Sequence, residues 1–121
     1  MSKIDMLSVN NIDIAVETFG NNKDNVIILI AGAMAPMIFW QDQFCEKLAK
    51  NFFVIRFDNR DFGRSTHFPT LEIPPYTIDD MVEDIKGLLD YFEIHSATVV
   101  GHSLGECVGA GFGQQRRTRA A

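Results

Sequence analysis

The sequence predicts an α/β fold: a mostly parallel sheet that starts with an antiparallel β-hairpin, with helices crossing over between the later strands. Three observations carry that prediction. Val26–Ile30 and Phe52–Phe57 are short, almost wholly apolar runs, as expected of strands covered on both faces. Residues 78–92 place apolar side chains at helical spacing along one continuous face. After residue 26, strand and helix signals alternate, which implies parallel pairing with right-handed crossovers.

Residues 4–19 read as the hairpin, with Asn10-Asn11 at its turn. In its second strand Ile12, Ile14, Val16 and Thr18 alternate with Asp13, Ala15 and Glu17, the pattern of a half-buried strand. Residues 20–25 form a longer polar turn. Val26–Ile30 follows as a buried strand, broken by Gly32 to Pro36. Gln41–Lys50 is expected to be a helix, with Trp40, Phe44 and Leu48 as its apolar stripe. Phe52–Phe57 is the next buried strand. Residues 58–75 read as a loop containing Gly63, Pro69, Pro74 and Pro75, and loops of that length usually carry function or cover a site. The clearest helix begins at Thr77. Thr77-Ile78-Asp79-Asp80 has the spacing of a capping box, with a carboxylate three residues after the cap. Ile78, Met81, Val82, Ile85, Leu88, Leu89 and Phe92 form its apolar face. Asp79, Asp80, Glu83 and Asp84 read as a solvated helix start that complements the dipole. Ala97–Val100 is a short buried strand leading directly into Gly101.

The chain has 121 residues, enough for one domain or part of one. Hydrophobic residues make up 46% and charged residues 22%, an ordinary globular composition that excludes a disordered or collagenous chain. The formal net charge is −5, and residues 1–105 show no basic stripe, so nucleic acid is not an expected partner. The longest apolar run, Val26 to Ala31, is far below the roughly 20 residues needed to span a bilayer, so no membrane association is expected. Residues 1–5 lack the apolar stretch of a signal peptide. Cys45 and Cys107 have no Cys-x-x-Cys spacing and suit a reducing compartment, which points to the cytoplasm. Residues 106–121 differ from the rest: Gly109, Gly111 and Gly113 fall where a helix is due, each costing about 1 kcal/mol relative to Ala. Apolar periodicity is lost, and Arg116, Arg117 and Arg119 follow. The expected division is therefore 1–105, the body of the fold, and 106–121, an atypical tail foreign to it.

One motif carries chemistry. Gly101-His102-Ser103-Leu104-Gly105 matches G-x-S-x-G directly after a predicted strand. A serine on a sharp strand-to-helix turn is held in a strained conformation with its hydroxyl exposed. Gly101 and Gly105 leave room for the neighbouring strand and helix, because they lack a Cβ. The backbone N–H of Leu104 then points to where an oxyanion would form.

With this motif, residues 1 to about 105 resemble the N-terminal half of the α/β-hydrolase superfamily, truncated just after the nucleophile elbow. Ala31-Gly32-Ala33 stands where the family has His-Gly-x after its third strand, and Trp40 lies at the expected distance. Asp58-Asn59-Arg60-Asp61-Phe62-Gly63-Arg64-Ser65 is similar to the family's D-x-R-G-x-G-x-S loop, with Asp61 in place of a glycine. Pro74–Met81 is similar to a subgroup that includes aclacinomycin methylesterase-like enzymes. The resemblance implies that Ser103 is the nucleophile attacking a small ester-like substrate. It also implies that the N–H groups of Ala33 and Leu104 form the oxyanion hole, with Met34 a weaker choice than Ala33. No cofactor and no metal is implied.

A serine hydrolase also needs a histidine base and a carboxylate to orient it, in the chain order Ser, Asp or Glu, His. After Ser103 the sequence holds Glu106 but no histidine. Glu106 is only three residues past the nucleophile and is badly placed for the acid role. His102 is expected to point away from Ser103, His67 to have a surface or packing role, and His95 to be solvated at the other end of the sheet. The triad histidine and carboxylate are therefore expected downstream, and this chain by itself to be an inactive, aggregation-prone part, with its fifth strand left as an exposed sheet edge. Two alternatives stand beside the hydrolase reading. One is a non-catalytic remnant that associates with a complementary fragment or with itself; the other is a cofactor-free perhydrolase on the same scaffold.

Overall fold

The computed structural model describes residues 4–32, 35–68, 75–115 and 119–120. The hairpin is formed by β1 (Ile4–Val9) and β2 (Ile12–Phe19). Asn10 and Asn11 both take left-handed φ, 51° and 67°, as the two-residue turn that matches strand twist requires, and asparagine tolerates that region well. Then come β3 (Val26–Ile30), a 3-10 turn (Met37–Phe39), α1 (Asp42–Leu48), β4 (Phe53–Phe57), α2 (Ile78–Tyr91), β5 (Thr98–Gly101), α3 (Leu104–Gln115) and β6 (Arg119–Ala120). The sheet order is β1-β2-β4-β3-β5-β6. β1–β2 and β2–β4 are antiparallel, whereas β4–β3, β3–β5 and β5–β6 are parallel.

Both faces of the sheet are covered, which is why β3 and β4 carry no polar alternation. Ile28, Ile30, Ile55, Phe57 and Val99 face α2 and α3, against Met81, Val82, Ile85, Leu88, Leu89 and Val108. Ile27, Leu29 and Val54 face the other way, against Cys45 of α1. Fully burying a side chain of this size stabilises the fold by about 1.5–3 kcal/mol, so the stripe of α2 is the main fastener of its layer. The capping box at its start is formed: Thr77 Oγ1 accepts from the Asp80 N–H, and the Asp80 carboxylate accepts from the Thr77 N–H at 2.8 Å.

Several expectations are corrected. β2 is not half-buried: Ala15 and Glu17 are also buried, Glu17 as the acceptor in a buried ion pair with Arg56 of β4. Asp84 is not part of a solvated helix start. It is 2% exposed and holds the Arg60 guanidinium through two 2.7 Å hydrogen bonds. Phe44 does not face the core; it is 43% exposed and stacks on Trp40, while Cys45, one position on, is the buried residue of α1. The fifth strand is not a bare edge, since Thr98 and Val99 pair with Arg119 and Ala120. Gly109 and Gly111, each costly by propensity, lie inside α3. A Cβ on Gly109 would lie 3.0 Å from Val99 Cγ1, and one on Gly111 would lie 3.0 Å from Val82 Cγ2, so their small size lets α3 seat closely on β5 and α2.

Candidate active site

The parallel register sets the C-terminal ends of β3 and β5 side by side, with Ile30 opposite Gly101. The His102 N–H continues the ladder by donating to the Ile30 carbonyl at 3.1 Å, and the chain then turns sharply. Ser103 takes φ 58°, is exposed, and is followed at once by α3. The Gly105 N–H donates to the His102 carbonyl at 2.9 Å, closing the turn. A left-handed φ costs a non-glycine residue about 1–2 kcal/mol, so the surroundings must hold this geometry in place.

Two close approaches do so. A Cβ on Gly105 would lie 2.3 Å from the Ile30 carbonyl oxygen, so α3 begins directly against β3. A Cβ on Gly32 would lie 2.9 Å from the His102 carbonyl oxygen and 3.0 Å from Ser103 Cβ. The loop after β3 therefore presses on the serine itself. The signal for Gly32 in the sequence is its place in the Ala31-Gly32-Ala33 stretch.

The loop after β4 braces the same region through three consecutive residues, all buried. The Asp58 carboxylate accepts from the Met37 N–H at 2.6 Å and from the Arg64 N–H at 2.9 Å. Asn59 Nδ2 donates to the Ala31 carbonyl at 3.0 Å. Arg60 reaches Asp84 on α2, with its guanidinium 5.5 Å from the Phe68 ring and 5.8 Å from the Tyr76 ring. Asp61 takes φ 75°, the left-handed region that a glycine would occupy without strain. Its carboxylate accepts from the Phe68 N–H at 2.9 Å and from the Tyr76 hydroxyl at 3.0 Å. Burial, and next that bond to Asp61, push the Tyr76 phenol up from its ordinary value. Ser65 Oγ donates to the Asp58 carbonyl and accepts from the Ala15 N–H, pinning the far end of the loop to β2.

The other candidates are dispersed. His102 is exposed and stacks on the Phe39 ring, with centroids 4.5 Å apart and planes 7° apart. His67 is exposed, with Nε2 2.8 Å from the Gly63 carbonyl. His95 is exposed just before β5, and Cys107 is exposed on α3. Among the described residues, no hydrogen bond joins an imidazole to Ser103. Leu104 supplies the first N–H of α3; its side chain, that of Glu106, and the whole of Ala33 and Met34 lie outside the described residues. Among the described residues, no cluster of three or more His, Cys, Asp or Glu could hold a metal ion, and no helix is long and apolar enough to cross a membrane.

The sequence model for the alpha/beta hydrolase fold matches residues 24–112, from just before β3 into α3. The chain belongs to the alpha/beta-hydrolase family. Relatives similar to this chain include the rhodomycin D methylesterases of Streptomyces sp. and Streptomyces peucetius. Each is 36% identical over 105 residues, covering 86% of this chain and 35% of the relative. A protein named as a carbamate hydrolase from Caulobacter segnis is 34% identical over 80 residues, covering 66% of this chain and 29% of that protein. Among solved structures, a hydrolase from Pseudomonas aeruginosa superposes with a TM-score of 0.86 at 27% identity, over 98% of this chain and 43% of that one. The chain thus spans about a third of the length of the curated relatives it matches.

Proposed function

We propose that Ser103 is the nucleophile of a serine hydrolase that cleaves a small carboxylic ester, with a methyl ester as the first class to test. The observation that carries this reading is the exposed serine at φ 58° on the β5–α3 turn, clamped by Gly32 and Gly105. A strained serine there has no packing role that glycine would not fill at less cost. The names of the relatives, methylesterase and carbamate hydrolase, support acyl transfer to water and favour the ester.

In this mechanism Ser103 Oγ attacks the carbonyl carbon as its proton passes to a histidine base. The oxyanion is held by the N–H groups of Leu104 and Ala33, and removing one such donor costs about 100- to 1000-fold in rate. Collapse expels the alcohol, which takes the proton, and leaves an acyl-Ser103. Water then repeats the attack and releases the acid. We assign the histidine and its orienting carboxylate to sequence beyond these 121 residues, because His67, His95 and His102 are each placed elsewhere. The elbow and oxyanion half of the site is what this chain contributes. We place the protein in the cytoplasm, where its two free thiols stay reduced.

The test is turnover of p-nitrophenyl acetate and of a methyl benzoate. It compares this chain alone with the chain mixed with the part of the Streptomyces methylesterase that it does not match. Hydrolysis by the associated pair, abolished by Ser103→Ala, is the expected result. A folded, associated pair that turns over neither ester, or one that Ser103→Ala leaves active, overturns the proposal.

A further inference from the structure

The loop that follows β3 is held at both of its ends by two adjacent side chains of the β4 loop. At its start the Ala31 carbonyl accepts from Asn59 Nδ2 at 3.0 Å, and at its far end the Met37 N–H donates to Asp58 Oδ1 at 2.6 Å. Between these anchors the Ala35 N–H closes back on the Gly32 carbonyl at 3.2 Å, and Gly32 lies against Ser103 Cβ. Asn59 is 2% exposed, so its amide is fixed by the interior and cannot be satisfied by water. Neither residue lies on β3, β5 or α3, and neither belongs to the elbow motif.

We infer that Asn59 is a positioning residue for the acyl-transfer step: through the Ala31 carbonyl it holds Gly32, and with Gly32 the Ser103 Cβ that Gly32 lies against. The inference rests on the hydrolase reading of Ser103. A packing role for Asn59 would serve stability alone. A positioning role makes a different prediction, because rate depends steeply on placement of the nucleophile: misplacement of about 1 Å costs about 100-fold.

The test uses the associated pair described above, with active sites counted by stoichiometric fluorophosphonate labelling so that rates are per reactive serine. Asn59→Asp is nearly isosteric but replaces the donor with an acceptor facing the Ala31 carbonyl; Asn59→Ala removes the group. Leu88→Ala, in the core of α2 and remote from the elbow, serves as the control for lost stability. For both Asn59 variants, kcat per titrated serine is expected to fall about 10- to 100-fold, with KM within about twofold. Affinity for a trifluoromethyl ketone, which becomes a tetrahedral oxyanion on Ser103, is expected to fall by the same factor as kcat/KM. Leu88→Ala is expected to lower the melting temperature and leave all three quantities unchanged. Asn59 variants that match Leu88→Ala, with lower stability but unchanged kcat per serine and ketone affinity, overturn the inference and leave the hydrolase reading standing. An unsubstituted pair that labels nowhere overturns both.

Discussion

Replacing Ser103 by glycine separates stability from chemistry at a single atom position. At φ 58° a residue bearing a Cβ is strained by about 1–2 kcal/mol. Glycine relieves that strain but loses about 0.5–1 kcal/mol more backbone entropy on folding. The net expectation for Ser103→Gly is a chain about 0.5–1 kcal/mol more stable than the parent. Ser103→Ala keeps the Cβ, and therefore the strain, and loses only an exposed hydroxyl, so it should stay within about 0.5 kcal/mol of the parent. Urea unfolding followed by Trp40 fluorescence, the single tryptophan, reads the difference. With a slope of about 2 kcal/mol per M, the glycine variant should unfold about 0.25–0.5 M later than the alanine variant. Both should be inert towards a serine-directed probe. A glycine variant no more stable than the alanine variant would mean that the turn at Ser103 stores no strain, and the physical argument for an activated elbow would fail.

Other expectations follow from the packing. Among the described residues, Arg60→Ala leaves the buried Asp84 carboxylate with a 3.3 Å contact from Asn10 alone, and should cost about 3–5 kcal/mol in urea unfolding. The double replacement Arg60→Met with Asp84→Leu should recover most of that loss, and a cost for Arg60→Ala below about 1 kcal/mol would contradict the pair's structural role. Gly105→Ala would place a Cβ 2.3 Å from the Ile30 carbonyl oxygen, main chain that cannot yield cheaply, and should destabilise by about 1–3 kcal/mol. A thiol reagent should react quickly with the exposed Cys107 and only after unfolding with the buried Cys45, a two-phase count that Cys107→Ser reduces to the slow phase. Burial pushes the Cys45 thiol up against the opposing pull of Arg56, and burial with the Asp61 bond pushes the Tyr76 phenol up. Both folded-state values are raised, so the stability they contribute is complete below the ordinary values of 9.0 and 10.0 and is lost as pH rises through the folded ones. Melting temperatures should therefore fall above about pH 9, less steeply in Cys45→Ala.

What could be read in the sequence was what local rules encode. Asn10-Asn11 dictated the hairpin turn, Thr77 with Asp80 dictated the start of α2, and the unbroken runs of β3 and β4 announced strands covered on both faces. The elbow could be read because G-x-S-x-G follows a strand. What could not be read depends on pairing across the fold. Glu17, Arg56, Arg60 and Asp84 look like surface charges in isolation; each is buried because its partner is 24 or 39 positions away in sequence. Phe44 looks like a core residue at helical spacing, but in a helix of seven residues one step of rotation turns Cys45 inward instead. Gly109 and Gly111 look like helix breakers by propensity, yet close seating of α3 on β5 and α2 outweighs about 1 kcal/mol each. Asn59 and Asp58 were visible as motif letters, but their brace on the two ends of the 32–36 loop emerges only when β4 lies beside β3.

The central claim, that the strained serine of the elbow is a nucleophile, is tested most directly by locating a covalent bond. The associated pair is treated with a fluorophosphonate, digested and sequenced by tandem mass spectrometry. The account predicts one adduct, on Ser103 in the peptide containing Gly101–Gly105, which is absent from Ser103→Ala. An adduct on any other residue of this chain, or an unmodified Ser103 in a folded and associated pair, would contradict it.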